Sequence, residues 1–193
     1  MHSFTVANYP GRLSVGVVTA LAALLCGCGS GGGVASKPLP PAPASLRLAS
    51  AAFAPGGAIP RAFTCDGQDR SPPLRIGGVP ARARQLALSL DDPDAPSGDF
   101  THWLLYGVRA RTSAIPAGGA PPGAVQGRNS FGKDAYSGPC PPKGDKPHHY
   151  RFVLYALPSK LGLKPGASVD EFRAKVSAAP PISEGTFTGT YSR

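Results

Sequence analysis

Apolar and polar residues alternate with a period of two in several short stretches of this chain. Leu46, Leu48 and Ser50 alternate with Arg47 and Ala49; Gln85–Asp91 (QLALSLD) puts Leu86, Leu88 and Leu90 on one face; Gly185–Tyr191 (GTFTGTY) alternates again. Period two is the side-chain repeat of a strand with one buried face. His102–Val108 (HWLLYGV) and Tyr150–Leu157 (YRFVLYAL) are almost continuously apolar and aromatic, which suits strands covered on both faces or packed in a sandwich. Gly- and Pro-rich segments between these runs supply turns. One stretch has helical spacing instead. Ser168-Val169-Asp170-Glu171 reads as a capping box, Val169, Phe172 and Val176 follow on one face, and Pro180 stops the run. The pattern predicts a mainly β domain, a sandwich or barrel, with a short helix near its end.

The N-terminus follows a different rule. Arg12 is the only charge before the apolar run Leu13–Leu25 (LSVGVVTALAALL). A positive charge followed by about 7–15 apolar residues has the layout of a secretory signal. The run is shorter than the roughly 20 residues a membrane helix needs. It ends in Leu25-Cys26-Gly27-Cys28. A small residue before a cysteine, with an aliphatic one two places earlier, resembles the bacterial lipobox and selects Cys28 for lipidation. Gly29, rather than aspartate, follows that cysteine and points to the outer membrane where there is one. Residues 29–44 (GSGGGVASKPLPPAPA) have the composition of a flexible tether with a stiffer polyproline end. Three segments are therefore expected: a lipoprotein signal peptide over 1–27, a tether over 28–45 and a globular domain over 46–193. The expected location is the cell envelope, with the membrane engaged through the anchor.

Composition refines this picture. The 193 residues include 25 Gly and 23 Pro, and only 16% are charged, which favours turns and strands over long helices. Loss of the signal leaves 19 basic and 11 acidic residues, a net charge of +8. A basic surface of this kind attracts acidic ligands and anionic lipid. It does not indicate nucleic acid, because the basic residues are scattered and no recognition motif is present. Once Cys28 is acylated, Cys65 and Cys140 are the thiols left, and an exported domain is where a disulfide forms and persists. A Cys65–Cys140 bridge is expected.

Four constellations could carry chemistry: Asp91-Asp92-Pro93-Asp94-Ala95-Pro96; His102-Trp103; the Gly-bounded loop Gly127–Gly132; and Gly138-Pro139-Cys140-Pro141-Pro142-Lys143-Gly144 followed by His148-His149-Tyr150. Individually they read as a turn, a core histidine and two loops. A hydrolase is disfavoured because there is no Gly-x-Ser-x-Gly elbow. A metal could use Asp92, Asp94, His102 and His148, but His-x-x-x-His spacing and cysteine clusters are missing. No metal or cofactor is expected.

As an ordered set, these pieces resemble the phosphatidylethanolamine-binding protein family, specifically its bacterial branch related to the Raf kinase inhibitor proteins. Phe63–Gly67, Ser71–Leu74, Phe131-Gly132 with Tyr136, and Gly189–Arg193 add to the likeness, which covers roughly Leu46–Arg193. The resemblance implies two antiparallel sheets in a Greek-key β-sandwich with one or two short helices, and a small pocket at one end. That pocket would comprise Asp92, Asp94, His102, Pro141, Pro142, His148 and Tyr150 with the backbone at Cys140, and the Asp92–Pro93 bond would be cis. The implied activity is binding of a small anionic ligand or phospholipid headgroup, without catalysis. The alternative is a protein-interaction module that inhibits a kinase or protease partner in the envelope. His149 stands where the family usually has Arg, Ile76 where many members have Trp, and Phe100 where a Trp often forms the rim. Independently of the resemblance, two histidines and a phenol are suitable donors to an anion, and a carboxylate can orient a histidine.

Overall fold

The computed structural model describes residue 43 and residues 45–193. The proposed signal, most of the tether and Cys28 lie outside the described residues. Eight strands and one helix follow in order: β1 (Arg47–Ala49), β2 (Leu74–Gly77), β3 (Gln85–Asp92), β4 (Phe100–Arg109), β5 (Ala114–Ile115), β6 (Val125–Gln126), β7 (His148–Leu157), α1 (Val169–Ala178) and β8 (Ser183–Tyr191). A single 3-10 turn covers Arg61–Phe63. The strands form a three-stranded sheet, β1-β2-β5, and a five-stranded sheet, β6-β4-β3-β7-β8, with antiparallel pairing throughout. Strands β3 and β7 are distant in sequence yet adjacent in the sheet, as Greek-key winding requires.

The main core lies between the sheets. Leu48, Leu74, Ile76 and Ile115 of the small sheet meet Leu86, Leu88, Leu90, Trp103, Leu105, Phe152, Leu154 and Phe187 of the large one. The opposite face of the large sheet is also covered. There Ala87, Leu104, Tyr106, Val153, Tyr155 and Leu157 pack against Leu161, Phe172 and Val176. This double burial explains why β4 and β7 lack a polar face and why every residue of β3 is buried. The capping box forms: Ser168 Oγ accepts from Glu171 N, and Glu171 Oε2 accepts from Ser168 N at 2.8 Å. Phe172 and Val176 then point at the sheet as the helical spacing predicts, so α1 acts as a lid on the second core.

Strand β4 is not a regular ribbon. Leu88 pairs with Leu105 but Leu86 pairs with Val108, so one extra residue sits near Gly107, whose φ of +70° is the left-handed conformation of a bulge glycine. A second bulge, closer to the start of the strand, builds the site described next.

Candidate functional site

The ends of three strands supply the site. Alternation along β3 sends its last two carboxylates to opposite faces. Asp91 turns toward the α1 side, where Ser89 Oγ and Thr101 Oγ1 each donate to it at 2.7 Å and Arg173 of α1 lies 3.8 Å away. Burial there holds the Asp91 carboxyl above its ordinary pKa. Asp92 faces the other way and is 3% exposed. Its Oδ2 accepts from His148 Nδ1 at 2.8 Å, and its Oδ1 accepts from the Asp94 amide at 2.9 Å. The carboxylate thereby places the proton of His148 on Nδ1.

His102 is positioned by the second bulge. Asp91 pairs with Thr101 and Leu90 with Trp103, so His102 is the residue left over. Thr101 serves the α1 face and Trp103 packs in the core between the sheets. The extra residue lets His102 join the inner side rather than alternate away from it. Its ring meets the Tyr150 ring edge-on, with centroids 5.3 Å apart and planes at 88°. Its Nδ1 lies 2.9 Å from Ser137 O and 3.1 Å from Gly138 O. Both partners are acceptors, so Nδ1 carries the proton and Nε2 is left for a guest. Burial is the largest influence on this imidazole and holds its pKa below the usual histidine value; the Ser137 carbonyl and the Asp92 charge oppose that shift.

Gly138 can be nothing larger. A Cβ there would sit 2.8 Å from Asp69 Oδ1, which accepts the Gly138 amide at 2.6 Å. Pro139 leads on to Cys140, which is disulfide-bonded to Cys65 with Cα atoms 5.5 Å apart. Pro141 is buried and Pro142 exposed.

Tyr150 completes the cluster. Its residue is 0% exposed, and its hydroxyl is the buried side-chain polar atom without a hydrogen-bond partner among the described residues. The Asp92 carboxylate and the Cys140 backbone belong to its surroundings, but neither meets hydrogen-bond geometry. Burial first, and the Asp92 charge second, raise the phenol pKa well above its ordinary value. An orphaned buried hydroxyl is costly, so its presence at this place is informative.

The structure thus groups Asp92, His102, His148 and Tyr150, with the 138–141 loop as a wall. Asp94 is engaged by His149: its Oδ2 accepts from His149 N at 2.8 Å and from His149 Nδ1 at 2.7 Å. That pairing holds the Asp94 carboxyl below the usual range. The expected cis bond is corrected. No cis peptide occurs among the described residues, Asp92–Pro93 included. Trans is the favoured isomer by about 0.5–1 kcal/mol, and the Asp92 Oδ1 to Asp94 N bond closes the turn around it.

The sequence does not mark two contributors, Phe131 and Asn129, as pocket residues, whereas the resemblance places Phe100 at the rim. Phe131, 46% exposed, and Phe100 form an aromatic rim, with their rings 5.3 and 5.4 Å from that of His102. Asn129 is 3% exposed and donates to His102 O at 3.1 Å. Its only sequence signal was its position between Gly127 and Gly132.

A family model described as phosphatidylethanolamine-binding protein matches residues 49–192. The chain belongs to the phosphatidylethanolamine-binding protein family. Among its relatives, UPF0098 protein PH1269 of Pyrococcus horikoshii is 43% identical over 150 residues, 75% of each chain. A Mycobacterium tuberculosis protein named "Putative lipoprotein LppC" is 44% identical over 154 residues, 77% of this chain and 76% of that one. The crystal structure of E. coli YbcL, described as a new member of the mammalian PEBP family, superposes with a TM-score of 0.73 at 32% identity, covering 78% of this chain and 99% of that one. The two antiparallel sheets and single helix are therefore the phosphatidylethanolamine-binding protein fold, and the strand-end cluster belongs to a family of binding proteins.

Proposed function

We propose that the chain is an exported, lipid-anchored binding protein whose Asp92–His102–His148–Tyr150 cluster holds a small phosphate-like anion without transforming it. The observation that carries this reading is the Tyr150 hydroxyl, buried and unpartnered beside two histidines. A guest oxygen would accept from Tyr150 and remove the cost of the orphaned donor. Burial favours neutral His102, whose Nε2 is then an acceptor. An anion reaches it either with its own P–OH or by drawing a proton onto the imidazole. Binding therefore takes up a proton, and affinity should rise as pH falls toward and below the ordinary histidine range.

Calorimetric titration with inorganic phosphate and with phosphoethanolamine tests the pocket and separates a free anion from a headgroup. His102→Ala and His148→Ala should each lose roughly tenfold or more in affinity, the consequence of a lost charge-assisted bond. Wild-type affinity in both variants, or affinity that climbs with pH, would overturn the assignment.

The anchor rests on Leu25-Cys26-Gly27-Cys28 and is supported by the name of the M. tuberculosis relative. Cells fed a fatty-acid analogue should label the chain, and Cys28→Ala should abolish the label. Label retained in that variant would move the acyl site elsewhere.

A further inference from the structure

Six arginines gather at the end of the domain remote from the candidate pocket. Arg47, Arg75, Arg82, Arg84, Arg109 and Arg111 are all exposed, and none takes part in an ion pair among the described residues. Strand register places them together. Gln85, which follows Arg84, pairs with Arg109, and Arg47 and Arg75 share the outer face of the small sheet through the pairs Arg47–Gly77 and Ala49–Arg75. Arg109 and Arg111 line one groove, Arg111 lines another with the Gly77–Ala81 turn, and the Arg47 guanidinium lies against Gly77. No Asp or Glu occurs over residues 70–90 or 100–133. Glu184, the acidic residue of neighbouring β8, pairs with none of the six.

The pocket marks the opposite end of the same strands. β3 runs from Gln85 to Asp92, about 23 Å at a strand rise of 3.3 Å per residue. Charges there are mixed: Asp94, Asp99 and Asp145 stand among Lys143 and Lys146. The chain also enters the domain at the arginine end. Ser45 N and the Leu46 amide both donate to Ser183 Oγ at 3.1 Å, at the start of β8. An anchor at Cys28 would therefore pull on this pole through the tether.

We propose that the arginine pole docks on an anionic bilayer surface, so that the domain stands on the membrane with its pocket facing away. Guanidinium groups suit the role because they bind phosphate oxygens in pairs and desolvate more readily than ammonium groups. A surface charge of several arginines adds orientation to a tether's hold, since each basic residue near an anionic bilayer surface contributes its own attraction. The orientation draws on the envelope reading but not on what the pocket binds. It also implies that the guest arrives from the aqueous side rather than from the bilayer beneath.

The full chain, reconstituted in vesicles of phosphatidylcholine alone or enriched in phosphatidylglycerol, tests this. A fluorescent non-natural residue is placed at exposed position 113, beside Arg111, or at exposed position 143, in the proline loop. Quenching by headgroup-labelled lipid should be several-fold stronger at 113 than at 143 on the anionic vesicles, and the difference should vanish on phosphatidylcholine or in high salt. Each arginine is worth roughly fivefold in surface affinity, so R109S/R111S should erase most of the contrast, with unchanged melting as the folding control. Equal quenching at both positions, or the same contrast on uncharged vesicles, overturns the proposal. Phosphate titration on the same samples keeps the two readings apart, because a pocket that fails to bind leaves the quenching contrast standing, and the reverse.

Discussion

Replacing Asn129 with alanine should cost the domain about 3–5 kcal/mol and weaken the pocket with it. The side chain is buried and fully engaged. Its two Nδ2 hydrogens are shared among His102 O at 3.1 Å, Ala135 O at 2.9 Å and Ser137 Oγ at 3.0 Å, while its Oδ1 accepts from the amides of Phe131 and Lys133, each at 3.0 Å. Each such bond contributes about 1 kcal/mol net, and the deserted partners add a desolvation cost when they stay buried. The lost bonds also define the shape of the 129–137 loop, which presents Phe131 to the rim and the Ser137 carbonyl to His102. His102 would then lose the acceptor that fixes its tautomer. Asn129→Asp is no remedy, because it removes the donors and buries a charge. Urea unfolding of wild type and N129A reads the first effect and phosphate titration the second. A loss of stability under about 1 kcal/mol would show that water or loop relaxation replaces the whole network.

The role of Asn129 illustrates where the sequence stops being readable. Long elements with strong periodicity were legible: the leucines of β3, the apolar runs of β4 and β7, and the capping box of α1. The short strands were not. β5 and β6 have two residues each, too few for any period, and they exist because the turns on either side deliver them to a sheet edge. At the site, Asp92, His102, His148 and Tyr150 are named through the family resemblance, not through any local pattern. The adjacent Asp91 and Asp92 read as part of one turn segment, yet strand alternation assigns Asp91 to the helix side and Asp92 to the pocket. His102 depends on a bulge, which has no composition of its own. The same holds for the arginine pole, whose members are spread from Arg47 to Arg111 and meet only through strand register. Local pattern encodes elements, whereas pairing brings together residues that no window contains.

Reducing or deleting the Cys65–Cys140 bridge should lower stability by an amount comparable to the loss of Asn129. The two cysteines are 75 residues apart in sequence, and closing a loop of that length in the unfolded chain is worth on the order of 4 kcal/mol in the entropy model. For a domain of this size that corresponds to a fall in Tm of roughly 8–16 °C. The native contacts around the bridge do not depend on it. Cys65 N donates to Pro139 O at 3.2 Å, Tyr136 Oη donates to Phe63 O at 2.6 Å, and Gly138 N donates to Asp69 at 2.6 Å. The folded loop should therefore keep its shape in C65S/C140S, while the unfolded state gains freedom, so phosphate affinity in the folded variant should change much less than its stability. Arg193 adds a local element: its Nη1 lies 2.9 Å from both sulfurs and 3.6 Å from Asp66 Oδ1, covering the bridge from one side. Melting curves of the exported protein with and without a reductant, beside the double serine variant, measure the effect. If the oxidised protein and the variant melt together, the bridge contributes nothing to stability; if phosphate affinity collapses along with Tm, the proline loop depends on the bridge for its shape, contrary to the expectation from its hydrogen bonds.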